Sequence, residues 1–130
     1  MKRRVSTNKA PNPIGPFSQA VVVDNWVFVS GMGGLDPKTG KVVGSGLKEQ
    51  TVQAMENVKA ILEAAGSCYD DVVKAVVYLT KMADYPVVNG IYASYMGKML
   101  PARCCVAVSE LPADEIMKLD VVAYKENKKS

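Results

Sequence analysis

The sequence predicts one α+β domain of element order β-β-α-β-α-β-β, with a single mixed sheet and two helices on one of its faces. Three observations carry this prediction: β-branched segments recur along the chain, two segments have helical apolar spacing, and two helices are too few to cover both faces. The 130 residues, 48% of them hydrophobic, suit one domain with a core. Residues 1–16 are predicted as an N-terminal arm and residues 125–130 as a C-terminal tail.

The first two strands are predicted on either side of a tight turn. In SQAVVVDNWVFVSG, residues 18–31, apolar runs flank Asp24 and Asn25, a pair typical of two-residue hairpin turns. The following DPKTGKVV, residues 36–43, has the Pro and Gly of another turn and then a short extended piece. The chain is therefore expected to begin its sheet with a hairpin.

The two helices are predicted at residues 47–65 and 85–98. Gly66 supplies a stop for the first helix, and Pro86 and Gly97 stand near the start and the end of the second. The first helix is indicated by apolar residues at three- and four-residue steps, namely Val52, Met55, Val58, Leu62 and Ala65.

Three further strands complete the predicted sheet. They are DVVKAVVYLT at residues 71–80, RCCVAVSEL at 103–111 and IMKLDVVAY at 116–124, the last two joined by PADE. Because one face of the sheet has no helix to cover it and is apolar, we expect a homo-oligomer in which sheets face one another.

Composition excludes several kinds of chemistry. The chain has no His, which rules out a Ser-His-Asp triad, a Cys-His pair, imidazole acid–base catalysis and a His-containing zinc site. Its three cysteines, Cys68, Cys104 and Cys105, form no CxxC pair and cannot all pair with one another, which indicates reduced thiols and no metal.

Charge and hydropathy bear on partners and location. The net charge of +3 comes from basic residues near both ends, so no basic face for nucleic acid is expected. No apolar run has the length of a membrane span or the form of a secretory signal, and Pro11, Pro13 and Pro16 would break a transit helix. We predict a cytoplasmic protein, with mitochondrial and nuclear locations left open.

Arg103 stands in a run, LPARCCVAV, that otherwise resembles a buried strand. Because burying an unpaired cation costs several kcal/mol, it should have an anionic partner. If the last two strands formed a hairpin, Asp120 would lie near Cys105 and diagonally near Arg103. Two interpretations stay open: a structural Arg103–Asp120 salt bridge, or a pocket in which Arg103 holds a carboxylate and Asp120 a water.

Five separated blocks of the chain resemble the RidA (YjgF) family of reactive enamine/imine deaminases. They are APNPIGPFSQAV, VFVSGMGGLDPKTG, NVKAILEAAG, VNGIYASYM and LPARCCVAVSELP. The resemblance implies a chorismate-mutase-like homotrimer with active sites between subunits. It also implies hydrolysis of 2-aminoacrylate and related small 2-imino acids to 2-keto acids and ammonia, without a cofactor.

Carried over by position, the resemblance assigns Arg103 as the carboxylate anchor and Asp120 as the water-positioning group. It also implies a set of substrate-binding residues, which are Phe17, Ser30, Gly31, Asn89 and Cys105. Three positions depart from the family pattern: Asp120 stands where Glu is usual, Phe17 where Tyr is common, and Met32 where Gln is common. The departures concern the level of activity more than its type.

Two alternative functions remain open at this point. One is an endoribonuclease that acts on RNA and inhibits translation, which the absence of His and of a basic face disfavours. The other is a noncatalytic trimer that binds small carboxylates or acts as a chaperone, which the Asp120 and Phe17 departures favour.

Overall fold

The computed structural model describes residues 1–126, which form a six-stranded mixed sheet with two α-helices against one face. Most of the predicted C-terminal tail, residues 127–130, lies outside the described residues. In chain order the elements are β1 (Lys2–Val5), β2 (Ala20–Val23), β3 (Trp26–Gly33), α1 (Leu47–Ala64), β4 (Val72–Leu79), α2 (Tyr85–Tyr95), β5 (Ala102–Ala107) and β6 (Met117–Tyr124).

The predicted element order is confirmed from β2 onward, and one strand was missed. The sheet order is β1-β2-β3-β6-β4-β5, with β4 and β5 parallel and every other pair antiparallel. The missed strand, β1, lies in the predicted arm and pairs with β2 from Lys2 opposite Val23 to Val5 opposite Ala20. Three of its four residues are charged and exposed, so its sequence carries no apolar alternation.

The hairpin considered for the last two strands does not form, because β5 and β6 each pair with β4 instead. β5 follows α2, so it returns to the sheet as a parallel neighbour of β4, as strand–helix–strand crossovers do. β6 instead lies between β3 and β4. Arg103 is therefore paired with Ala75, whereas Asp120 is paired with Val76, and these two residues of β4 point to opposite faces. Arg103 lies on the helix-covered face and Asp120 on the other, which we call the outer face.

The core lies between the sheet and the two helices. In α1 the side chains of Met55, Val58, Ile61 and Leu62 are fully buried, but Val52, predicted in the same stripe, is 41% exposed. The buried positions of α1 include polar residues that the apolar pattern does not register. Asn57 is one of them, and its amide nitrogen donates to the carbonyl oxygens of Gly33 and Leu35 at 3.0 and 2.9 Å.

The arm between β1 and β2 is fixed to the domain by one buried amide. Gln19 is 2% exposed, and its Nε2 donates to the carbonyl oxygens of Thr7, Ala10 and Pro11 at 3.0, 3.3 and 2.9 Å. Its Oε1 accepts from the backbone N–H of Thr7 at 2.7 Å. These bonds hold the backbone that leads into residues 11–17, which form one wall of a cavity described below.

Replacing Gln19 with Met should lower the free energy of unfolding by about 3 kcal/mol, because the buried partners of the amide would be left unsatisfied. The expected result is a fall in Tm of about 10 °C, measured by thermal unfolding followed by circular dichroism. Asn8→Ala, an exposed change in the same arm, is the control and should leave Tm almost unchanged. A Gln19→Met variant as stable as its parent would show that the arm is not held in this way.

The outer face of the sheet is largely apolar, as the sequence predicts, and no helix within residues 1–126 covers it. Trp26, Phe28, Val106 and Tyr124 are between 36% and 46% exposed there. The rings of Trp26 and Tyr124 meet edge to face with centroids 4.8 Å apart.

No helix within residues 1–126 is long and apolar enough to cross a bilayer.

Candidate functional site

Arg103 is held in place by polar and aromatic groups of α2. Its Nη1 donates to Asn89 Oδ1 at 2.7 Å, and its Nη2 donates to the Tyr85 hydroxyl at 2.8 Å. The guanidinium carbon lies 5.4 Å from the Tyr85 ring centroid and 4.9 Å from that of Tyr92, within the range of cation–π contacts. The guanidinium is therefore oriented by neutral partners.

The structural Arg103–Asp120 salt bridge, left open by the sequence, is wrong. The two side chains lie on opposite faces of the sheet, and the ion pair found within residues 1–126 joins Lys118 to Glu115 instead. Arg103 therefore keeps its positive charge without a carboxylate of the described chain beside it. A held but unneutralised guanidinium is well suited to bind a carboxylate through two parallel hydrogen bonds.

A groove of about 350 Å³ opens beside Arg103. Cys105 lies on the same face of β5, two residues along, and Cys104 lies on the outer face. Burial raises the pKa of the Cys105 thiol, and the opposing effect of Arg103 is smaller. A raised pKa lowers the fraction of reactive thiolate, so Cys105 is poorly suited to act as a nucleophile. The groove is lined by Asn89, Tyr92, Ala93, Leu100, Pro101 and Arg103.

A second cavity, of about 290 Å³, lies where the arm passes the end of β3. Two of the predicted substrate-binding residues, Phe17 and Gly31, line it. The rest of the wall comes from the arm, the end of β3 and the segment after it, the turn before β6, and β6 itself; its residues are Pro11, Asn12, Ile14, Gly15, Pro16, Met32, Gly33, Leu35, Pro112, Ala113, Glu115 and Lys118. We call this space the arm cavity. Most of its wall is apolar, and its charged side chains are Glu115 and Lys118.

Ser30 is next to the arm cavity but its hydroxyl is already engaged. Its Oγ donates to the Ser18 carbonyl oxygen at 2.6 Å, and its backbone N–H donates to the Gln19 carbonyl oxygen at 2.9 Å. The register of β3 against β6 shifts between Val29 and Met32, which takes Ser30 out of the regular ladder. Within the single chain Ser30 fastens the arm to β3.

Asp120 lines neither the groove nor the arm cavity. On the outer face it accepts a hydrogen bond from the Tyr78 hydroxyl at 2.9 Å, and this bond is the main reason that the pKa of Tyr78 is raised. The structure thus places the predicted site residues in three regions: Arg103, Asn89 and Cys105 together, Phe17 and Gly31 together with Ser30 beside them, and Asp120 apart.

The charged pair of the arm cavity was not predicted from the sequence. Glu115 is 4% exposed, and its Oε2 lies 3.3 Å from Lys118 Nζ. Burial raises the pKa of the Glu115 carboxyl, although Lys118 and the backbone N–H of Gly33 oppose the shift. One signal was present: Lys118 alternates with buried apolar residues along β6 and shares a side with Asp120. Nothing in the sequence indicated that Glu115 is buried.

Tyr85→Phe should weaken the binding of a small carboxylate because it removes one of the two hydrogen bonds that orient Arg103. We expect Kd to rise about fivefold in calorimetric titration, since one bond to a half-exposed charge contributes about 1 kcal/mol. The matched control is Tyr95→Phe on the same helix, whose hydroxyl bonds Glu56 at 2.6 Å and not Arg103. Equal Kd values for both variants would mean that the Tyr85 hydroxyl does not position the guanidinium.

The fold and its polar groups define a class of small α+β domains, with helices on one sheet face, a largely apolar opposite face, and an arginine on an edge strand that is oriented by neutral partners. The chain belongs to the RidA (YjgF) family: residues 7–125 match the family described as endoribonuclease L-PSP. Within residues 1–126, no group of three or more Cys, Asp or Glu side chains could hold a metal ion.

Three similar proteins illustrate this membership. A RutC family protein of Pyrococcus horikoshii is 48% identical over 97% of this chain and 100% of its own length. The human 2-iminobutanoate/2-iminopropanoate deaminase is 42% identical over 96% of this chain and 91% of its own. The crystal structure of RidA from an Antarctic Psychrobacter superposes with a TM-score of 0.91 at 40% identity, covering 95% of this chain and 99% of that one.

Proposed function

We propose that this chain hydrolyses reactive enamine/imine intermediates, such as 2-aminoacrylate, to 2-keto acids and ammonia. The observation that carries the proposal is Arg103, oriented by Asn89 and Tyr85 and left without a carboxylate partner in the described chain. The human relative that is 42% identical is named as a deaminase of two small 2-imino acids, which supports the same class of substrate.

The proposed active unit is a homotrimer whose sites lie between subunits. Within one chain, Arg103 with Asn89 and Cys105 is separated from Phe17 and Gly31, so neither region has all the predicted parts. The exposed apolar outer face offers a surface through which copies of the chain can associate. In the trimer, the groove at Arg103 of one subunit would meet the arm cavity of the next.

The reaction needs few protein groups. An enamine of this kind tautomerises to an imine, whose C2 carbon is electrophilic when the nitrogen is protonated. Arg103 would hold the C1 carboxylate and so fix C2 relative to a water molecule. Water adds its oxygen to C2, the C–N bond breaks, and the nitrogen leaves as ammonia. No step of this hydrolysis calls for a cofactor.

Other predicted roles remain proposals within this scheme. Phe17 and Gly31 would contact the substrate from the arm cavity, and Ser30 would hold that wall in place. The role of Asp120 as a water-positioning group depends on where the neighbouring subunit places its substrate, since Asp120 lies on the outer face. The cytoplasmic location likewise stays a prediction.

The function can be tested by adding the purified protein to a dehydratase that releases 2-aminoacrylate from serine. We expect the protein to increase the rate at which pyruvate and ammonia appear, in proportion to its concentration, and Arg103→Ala to be inactive. No acceleration would contradict the proposal. Binding of small 2-keto acids without turnover would favour the noncatalytic alternative, and RNA cleavage that copurifies with the trimer and is lost in Arg103→Ala would favour the endoribonuclease.

A further inference from the structure

We propose that Glu115, held beside the arm cavity by Lys118 and Gly33, accepts the proton of the water that attacks the substrate, an inference that rests on the proposed function. Glu115 was not among the residues that the sequence or the resemblance assigned. It lines the same cavity as Phe17 and Gly31, the two substrate-binding residues predicted there. The carboxyl group and the predicted substrate wall thus share one space.

The carboxyl group is fixed on two sides. Lys118 Nζ lies 3.3 Å from Oε2, and the Gly33 backbone N–H donates a hydrogen bond to the carboxylate. Gly33 also leaves the room that the carboxylate occupies, because a Cβ there would collide with Oε1. The Lys118 stem in turn lies over Gly31, where a Cβ would meet its Cδ at 3.2 Å. A base held in this way keeps its geometry during the reaction.

The surroundings of Glu115 suit a general base. They contribute little to the stability of the fold. An ion pair this buried gains little over apolar residues of the same size, because desolvation of both charges offsets their attraction. The cavity wall is otherwise largely apolar, with Phe17 and Met32 among its residues. Burial raises the pKa of the Glu115 carboxyl, and a raised pKa makes the carboxylate a stronger proton acceptor.

Asp120, the other candidate, is less well placed. It is half-buried on the outer face, it accepts a hydrogen bond from Tyr78, and it lines neither cavity of the single chain. Glu115 lies in the turn just before the same strand, on the side where the arm closes the cavity. The two assignments can therefore be distinguished by experiment, because each predicts that a different substitution, at Glu115 or at Asp120, impairs the proton transfer.

The proposed step balances as follows. The water oxygen bonds to C2 of the iminium, the C=N π electrons move to nitrogen, and a water proton passes to the Glu115 carboxylate, which gives a carbinolamine. Glu115 then returns that proton to the nitrogen. The C–N bond breaks with release of ammonia, the hydroxyl oxygen forms the carbonyl, and its proton is lost to water. Glu115 ends in the form in which it began.

The test is the pH dependence of kcat with an imine substrate for four variants of the intact protein, which are Glu115→Gln, Lys118→Met, Asp114→Asn and Asp120→Asn. Glu115→Gln should lower kcat about 100-fold and remove the acidic limb of the pH profile, with KM within about twofold. Lys118→Met should move the acidic limb to higher pH, because the charge that opposes the raised pKa of Glu115 is gone. The control is Asp114→Asn, which removes an exposed carboxylate next to Glu115 in the chain. It should leave the pH profile unchanged.

The pH profile of kcat can be assigned to Glu115 because few other charged groups face its carboxylate. Lys118 on β6 is the charged neighbour, and Gly33 on β3 and Phe17 on the arm carry no titratable atom. The sign follows from the carboxylate being the active form: activity falls as the pH drops through the raised pKa. A merely structural ion pair would change Tm or KM in these variants without moving or removing the limb.

The outcomes separate this inference from the proposed function. If the parent protein does not accelerate imine hydrolysis, the proposed function fails. If the parent is active and Glu115→Gln keeps its kcat and its acidic limb, or if Asp120→Asn alone removes the limb, the assignment to Glu115 is overturned. Should Glu115→Gln not fold, Lys118→Met decides the matter, because an unmoved limb in a folded, trimeric protein contradicts the proposal.

Discussion

Replacing Arg103 with Ala should lower kcat/KM for 2-imino acids about 1,000-fold, since a charge-paired carboxylate that loses its partner costs about 4 kcal/mol. Arg103→Lys should recover only a small part of this loss. A lysine keeps the positive charge but not the planar fork that engages both carboxylate oxygens. It would also lose the pair of bonds to Asn89 and Tyr85 that orient the guanidinium.

The measurement is steady-state hydrolysis at several imine concentrations, with calorimetric binding of a small 2-keto acid as a second readout. Circular dichroism and light scattering show whether each variant keeps its fold and assembly. Cys104→Ser, on the outer face of the same strand, is the matched control for changes in β5 and should retain the parent's circular dichroism spectrum and Tm. An Arg103→Lys variant with full kcat/KM would mean that a point charge suffices and that the forked geometry has no role.

Phe28→Asp should convert the proposed trimer into single subunits and abolish the proposed deaminase activity. Phe28 lies on the outer face, is 46% exposed, and is paired across β3 and β6 with Val122. In an assembly that buries this face, an unpaired carboxylate would cost several kcal/mol. In a single subunit the same carboxylate is solvated, so the fold should persist.

Size-exclusion chromatography with light scattering measures the change in mass, and the coupled assay measures activity. Val52→Glu is the control, because Val52 is 41% exposed on α1, on the helix side of the sheet. It should leave both mass and activity unchanged. A Phe28→Asp protein that still has the mass of three chains would place the interface elsewhere, and an active single subunit would show that the site needs no neighbour.

Local sequence patterns were sufficient for most of the elements. Helix α1 and strands β2, β3, β4 and β6 follow from apolar periodicity and turn residues, since each buries one face against the same core. The pairing of β5 did not follow, because the chain order of two strands does not determine which neighbour each one takes. Strand β1 was missed because its stability comes from backbone pairing with β2, and its side chains carry no pattern.

The candidate site was predicted only in part, for a physical reason. Arg103 could be found because an arginine within an apolar strand is costly to bury unless an anion pairs with it. Glu115 could not, because its burial depends on the turn before it, where Ala113 and Asp114 take left-handed φ values of 58° and 61°. Residues other than Gly rarely adopt that conformation. The backbone path that turns Glu115 inward therefore cannot be predicted from local conformational propensities.

Strand β1 gives the molecule one further property. As the outermost strand, it exposes unpaired backbone groups onto which a foreign strand could add, as happens when fibrils grow. Its exposed residues are Lys2, Arg3 and Arg4, so a second copy arriving at this margin would bring like charge against like charge. Electrostatic repulsion therefore opposes the addition of further strands at the β1 edge. It does not act against association through the apolar outer face, so the two surfaces differ in their tendency to bind other copies of the chain.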